Sequence, residues 1–207
     1  MDERMRVGSH VVSTYAIATV LCLLAVVIQF RLWRADFHVP FYYDLGGDVD
    51  YNMALVKTLR DAGWLLTNPW LGAPYIQENY DLQQGDNLPF LLIKLIADVT
   101  PDFGTAINIS FLLGFVLTTW TSLFVLRTLS ISNPIAIAVS LLYAFQPYHF
   151  ARGQLHLALS FYFAVPLIAM AILWFSEGRS VFSAQDEQGR TRLGWRRFLR
   201  RLSMEAM

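Results

Sequence analysis

Apolar residues fall in long runs along this chain, and the lengths of the runs set the reading. Val11 to Phe30 is twenty residues without a charge. At about 1.5 Å rise per residue, a run of about twenty crosses a hydrocarbon core about 30 Å thick. Met1 to His10, short and polar, precedes it; Arg31-Leu32-Trp33-Arg34 follows, with no small-x-small cleavage pattern, so it reads as an uncleaved first span and not a signal peptide. Gly104 to Leu126 is a second span, ending at Arg127. Residues 134–146 make a short third span, with Asn133-Pro134 supplying the cap and the first helical residue, and 155–175 a fourth, kinked at Pro166.

Between the first two spans the pattern changes period. Tyr51 to Trp64 puts Tyr51, Leu55, Leu59 and Ala62 on one face and Lys57, Arg60 and Asp61 on another, an amphipathic helix closed by Gly63. The run Asn68-Pro69-Trp70-Leu71-Gly72-Ala73-Pro74-Tyr75 then forces turns, and its aromatics suit a membrane interface. Residues 88–99 are apolar but too short to cross, interrupted by Lys94 and ended by Asp98 and Thr100-Pro101; they predict an interfacial or re-entrant helix. The expected fold class is therefore all-α: a polytopic integral membrane protein with about four transmembrane helices (11–30, 104–126, 134–146, 155–175) and a large first outward loop, 31–87, carrying juxtamembrane helices.

Composition agrees, since 55% of residues are hydrophobic and mean hydropathy is +0.41, against about 45 to 50% apolar in soluble domains. The 16 basic and 16 acidic residues cancel, which gives no reason to expect nucleic acid as a partner. Their distribution is more informative than their sum. Residues 31–87 hold four basic and eight acidic residues, whereas residues 177–207 hold seven arginines against four acids. Positive residues mark the cytoplasmic side, so both termini are expected inside, the acidic loop outside, and the protein in the cytoplasmic membrane with the bilayer as its first partner. Cys22, alone and inside an apolar run, allows no internal disulfide and indicates no cysteine metal site.

Two outward stretches carry candidate chemistry. Tyr43-Asp44-Leu45-Gly46-Gly47-Asp48-Val49-Asp50-Tyr51 gathers three carboxylates and two glycines just after the first span. Asp48 and Asp50 are placed to act as a general base, or as hard oxygen ligands to a divalent metal; either acid serves equally as the N-cap of the helix that follows. The second stretch, Gln146 to His156, joins the third and fourth spans and offers His149, Arg152 and His156 to a phosphate or diphosphate headgroup. The same side chains also suit interfacial anchoring. His10 and His38 have no partner visible in the sequence.

The order of span, acidic loop with Gly46-Gly47-Asp48, amphipathic helix, Asn68-Pro69-Trp70-Leu71-Gly72-Ala73-Pro74, and then Asp86-Asn87-Leu88 before a short apolar helix resembles the amino-terminal part of polytopic glycosyltransferases of the GT-C type. Pro147-Tyr148-His149-Phe150-Ala151-Arg152-Gly153 followed by His156-Leu157 is similar to a segment of uncharacterised bacterial membrane proteins near that group. The resemblance covers about Val11 to Phe175. It implies transfer of a sugar from a polyprenyl-phosphate or polyprenyl-diphosphate carrier to an acceptor on the outer face. Asp48, or Asp50, would then be the base, with Arg152 and His149 or His156 on the departing phosphate, and no metal needed. On this reading residues 1–176 form the GT-C-like transmembrane region and 177–207 a basic cytoplasmic tail, the truncated end of a longer protein or of one that works with a further membrane subunit. The alternative is a non-enzymatic membrane subunit or a component of a lipid-linked sugar translocase.

Overall fold

The computed structural model describes residues 2–41, 48–81, 87–177, 183–185 and 191–193, with side chains placed at 11–41, 50–81 and 87–177. Asp44, Gly46, Gly47, the side chain of Asp48 and the side chains of the tail arginines lie outside the described residues. The described chain is mostly helical: α1 (Asp2–Gln29), a 3-10 turn at Leu32–Arg34, α2 (Asp48–Asp61), α3 (Asn87–Ala97), α4 (Phe103–Thr128), α5 (Asn133–Ala144), α6 (Pro147–Arg152), α7 (Leu157–Ser160) and α8 (Ala164–Ser176). Two small antiparallel pairs complete it, β1 (Thr67–Asn68) with β2 (Gln77–Glu78), and β3 (Ser183–Gln185) with β4 (Thr191–Leu193).

Two helices, Val11–Gln29 within α1 and all of α4, are long and apolar enough to cross a membrane. Along α1 the buried positions recur every fourth residue, at Thr14, Ala18, Cys22 and Val26, while Ile17, Val20, Leu21, Leu24 and Ile28 are exposed. Only 22% of the apolar window of α1 is buried, against 56% for α4. An apolar surface of that extent suits hydrocarbon better than water. The third and fourth expected spans differ from the sequence reading. α5 has 12 residues and α8 has 13, each short of the roughly 20 that a bilayer asks for. The expected helix over 155–175 is two helices, α7 and α8, separated at Phe161-Tyr162-Phe163. Pro166 lies in the first turn of α8, where its missing N–H removes no helical hydrogen bond, so it starts the helix instead of kinking it.

The chain divides into two compact units. The first comprises residues 1–25, 116–145 and 162–207. Ala18, Leu123 and Ala136 bring α1, α4 and α5 together, with Tyr15, Leu126, Ile131 and Ile137 packed around them. Alanine at two of the three contact points lets helix backbones approach closely, as small residues do in membranes. Val125, Met170 and Trp174 join α4 to α8. Trp120 Nε1 donates to Thr19 Oγ1 at 2.8 Å, and Tyr162 Oη donates to the carbonyls of Tyr143 and Ala144, each at 3.0 Å, which satisfies the carboxyl end of α5.

The second unit comprises residues 26–115 and 146–161 and holds both stretches of candidate chemistry. α2 packs on α3, with Leu55, Val56 and Leu59 of α2 and Phe90, Ile93 and Ala97 of α3 buried. α2 runs from Asp48 to Asp61, three residues earlier at each end than the sequence pattern suggests, and Gly63 follows it with φ +102°. A helix is present where an interfacial or re-entrant one is expected over 88–99: it is α3. Phe30, Phe111 and Phe115 form an aromatic nest in edge-to-face contact, with centroids 5.4 to 5.7 Å apart.

Candidate functional site

One buried side chain organises the root of the acidic loop. Asn108, on the second turn of α4, is fully buried. Its Nδ2 donates to the carbonyls of Phe37 (2.9 Å) and Val39 (2.8 Å). Its Oδ1 accepts from the Phe41 backbone N–H (3.0 Å) and from Gln154 Nε2 (2.7 Å). Two donors and two acceptor sites are all an amide side chain has, so Asn108 is satisfied in full. The residues before the acidic stretch and the residues of the 146–156 connection therefore share one anchor. A second link runs from Asn52, in the first turns of α2, whose Nδ2 donates to the carbonyl of Leu155 at 2.7 Å. Stretches about a hundred residues apart in sequence are thus fastened side by side.

The helix phase separates the two candidate acids. Successive residues turn by about 100°, so positions 48 and 52 lie about 40° apart on one side of α2, while position 50 is about 200° from Asn52. Position 48 is therefore on the side that carries the Asn52 link to Leu155. Asp50 is exposed and shares its stripe with Ala54, Lys57 and Asp61, all exposed. Positions 48 and 50 thus lie on different sides of α2. Among the described residues, which leave out the side chain of Asp48, no three His, Cys, Asp or Glu side chains converge.

In the 146–156 connection the three expected residues have different fates. His149 is fully buried: its ring stacks on Phe115 (centroids 3.7 Å, 5° between planes) and meets Phe111 edge-on at 5.4 Å. Gly114 makes room for it, since a Cβ there would lie 3.3 Å from His149 Nε2. A ring enclosed in this way offers no edge to a headgroup. Arg152 and His156 are half-buried, and the Arg152 guanidinium lies over the Tyr148 ring, 5.5 Å from its centroid. Gly153, at φ +49°, closes α6 with its N–H on the His149 carbonyl.

A second polar cluster, unsuspected from the sequence, holds the residue given no role there. Asp102 caps α4: its Oδ1 accepts the Thr105 N–H at 2.8 Å and its Oδ2 accepts the Thr105 hydroxyl at 2.9 Å. The same Oδ2 is 2.6 Å from His38 Nδ1. Burial works against ionisation of Asp102, but the Thr105 N–H, the His38 ring and the Thr105 hydroxyl outweigh it and hold the carboxyl at about 2. An ionised carboxylate only accepts, so Nδ1 carries the proton. The hydrogen bond to Asp102, then its charge, raise the pKa of His38 above the ordinary imidazole value. Gly104 permits the arrangement, because a Cβ on it would lie 2.1 Å from the His38 carbonyl oxygen.

Asn108, Asn52 and Gln154 were missed as site-building residues. The one signal available was a buried-type polar residue, Asn108, inside the apolar run 104–126. On the other side of α2 lies an open groove of about 590 Å³, lined by Ala54, Lys57, Asp61, Asn68, Trp70 and Leu71. Compared with protein-family models, curated proteins and solved structures, the chain matches none of them.

Proposed function

We propose that the chain is a membrane glycosyltransferase, or the amino-terminal part of one, that moves a sugar from a polyprenyl-phosphate-type carrier to an acceptor on the outer face of the cytoplasmic membrane. In this reading α5 and the α7–α8 pair complete a multi-pass arrangement with both termini inside. The observation that carries the proposal is the fastening of the α2 amino terminus to the 146–156 connection through Asn52 and Leu155, with Asn108 holding Gln154 beside the root of the acidic loop. A transferase needs a base and a leaving-group stabiliser on opposite sides of one sugar ring, and these links join the first turns of α2 to the connection that carries Arg152 and His156, which supports the reading.

The chemistry follows from the roles. The Asp48 carboxylate takes the proton of the acceptor hydroxyl, whose oxygen bonds to the anomeric carbon as the bond to the carrier phosphate breaks. The bonding pair leaves with the phosphate oxygen, whose charge Arg152 meets with a fork of donors and His156 with a ring N–H. His149, buried against Phe115 and Phe111, holds α6 in place.

The experiment is transfer of label from tritiated glucosyl-, mannosyl- and galactosyl-phosphoryl polyprenol by the full-length protein in membranes, at matched expression. Asn caps a helix about as well as Asp but takes up no proton, so Asp48→Asn should keep the fold and lose roughly 10²- to 10⁴-fold in rate. Transfer near the wild-type rate by Asp48→Asn removes Asp48 as base. Absence of transfer by the wild-type protein with every donor returns the chain to the non-enzymatic alternative.

A further inference from the structure

The groove beside α2 is built around an exposed indole. Trp70 has 77% of its surface exposed, yet its backbone is pinned by a buried polar chain. The Trp70 N–H donates to Asn68 Oδ1 at 2.9 Å, and Asn68 Nδ2 donates to Thr58 Oγ1 at 2.8 Å on the inner face of α2. Asn68 is 6% exposed and Thr58 3%. The Leu71 carbonyl accepts the Gln77 N–H at 2.8 Å, and Gly72, at φ +82°, leaves no space for a side chain, since a Cβ there would lie 2.7 Å from the Gln77 nitrogen. Buried hydrogen bonds of this kind fix the turn rigidly, and what the turn presents is the indole.

Opposite the indole stands the outer stripe of α2. Ala54 keeps the wall low, and one turn on, Lys57 Nζ bonds Asp61 Oδ2 at 2.5 Å. The groove thus offers a flat aromatic face, an ammonium with donors and a carboxylate with acceptor positions, in a volume of about 590 Å³, within the roughly 300 to 1,000 Å³ of small-ligand sites. A lipid tail would find a charged pair across from the ring. A phosphate would find Asp61. A sugar ring fits both walls: one face is C–H and packs on an indole, while its rim of hydroxyls both donates and accepts.

We infer that this groove is a saccharide-binding subsite with Trp70 as its platform and the Lys57–Asp61 pair as its hydroxyl-binding wall. Under the transferase reading, on which this assignment of role rests, it holds the acceptor and makes that acceptor a sugar chain. Asp50 lies on the same stripe of α2, two turns before Lys57.

The test is binding without any donor, so its outcome is independent of transfer. Full-length protein in nanodiscs is titrated with maltotriose, cellotriose, mannotriose and chitotriose by saturation-transfer NMR and intrinsic fluorescence. At least one trisaccharide should bind, Trp70→Ala should weaken it at least tenfold, Trp70→Phe should recover part of the loss, and Asp61→Asn should weaken it several-fold. Trp70 is too exposed for its truncation to disturb the core. Binding by none of the four, or unchanged binding by Trp70→Ala, overturns the inference. So does quenching of Trp70 by brominated lipids in a variant that keeps only that tryptophan, which would make the indole a membrane anchor. A wild-type protein that binds but transfers nothing in the tritium assay overturns the transferase reading and the acceptor role, and leaves the subsite standing.

Discussion

Replacing Asn108 with Leu tests whether the root of the acidic loop is held as described. Leu keeps the volume of the amide and so leaves little cavity, but it removes four hydrogen bonds at once. At a net ~0.5 to 1.5 kcal/mol each the loss is about 2 to 6 kcal/mol. The lower half of that range applies, because the backbone of residues 37–41 lies near solvent and water can replace part of the loss, whereas Gln154 is 2% exposed and cannot be rehydrated. A local cost of about 2 to 3 kcal/mol raises the open fraction of the loop roughly 30- to 150-fold. Hydrogen exchange read by mass spectrometry in detergent measures this directly, since the Phe41 amide has its hydrogen bond to Asn108 Oδ1. Exchange at residues 37–41 should accelerate by that factor, while the α2 amides near Leu59 stay protected. Ile109→Ala, on the exposed face of the same helix, is the control. Exchange at Phe41 that stays at the wild-type rate in Asn108→Leu would refute the clamp and the argument that the loop and the 146–156 connection share an anchor.

Further outcomes follow from the same geometry. With Cys22→Ser as background, a single cysteine at Glu78 should react with an impermeant maleimide in whole cells and one at Gln185 should not; the reverse pattern defeats the outward placement of the loop. In the tritium transfer assay Arg152→Ala should lose more than tenfold and Arg152→Lys less, because Lys keeps the point charge but not the fork; equal loss of expression by both variants makes Arg152 an anchor of α6 instead. The Asp102 and His38 pair gives stability a pH signature. Asp102 has a folded pKa lowered to about 2 from 3.8, so its contribution is present above the unfolded value and lost as pH falls through about 2. His38 has a raised pKa, so its contribution is present below the unfolded value and lost as pH rises through the folded one. The difference in Tm between wild type and Asp102→Asn should therefore be largest near about pH 5 and shrink in both directions; a difference that does not change between about pH 2 and 9 would mean that the carboxylate acts only as a neutral cap.

The lengths of apolar runs predicted α1 and α4, and the 3.6-residue period predicted α2, because both signals are local to the chain. The break between α7 and α8 was invisible for the opposite reason. Phe161, Tyr162 and Phe163 are as apolar as their neighbours and include no Gly or Pro, so hydropathy reads straight through them; the Tyr162 hydroxyl is spent on carbonyls about eighteen residues earlier. The start of α5 shows a smaller effect, with Ser132 in the cap position and Asn133 inside the helix. His149 reads as a headgroup ligand because it stands with Arg152 and His156 in a short connection between two expected spans. Its neighbours in space are Phe115 and Phe111, and no local pattern announces a partner more than thirty residues away.

The same distinction between local and distant partners separates the two acids. As a bare motif, Asp48-Val49-Asp50 makes the carboxylates look like a pair, and a metal or a shared proton would require them to be one. A helix that begins at Asp48 puts positions 48 and 50 on different sides, and which side is which is fixed by Asn52, whose bond to the Leu155 carbonyl sets the rotation of α2 about its axis. Rotating the helix by two residues, about 200°, would carry position 50 to the side where position 48 lies, but it would also bring Lys57 into the place of Leu55 or Leu59 on the α3 packing face. Burying the ammonium there costs more than any single polar contact returns. The apolar face of α2 and the Asn52 link therefore agree on one rotation, and that rotation puts position 48 on the side of the Leu155 link and Asp50 on the exposed stripe with Lys57 and Asp61. The proposed base and the proposed saccharide-binding wall are then assigned to two faces of one helix, which is why the two proposals can be tested separately.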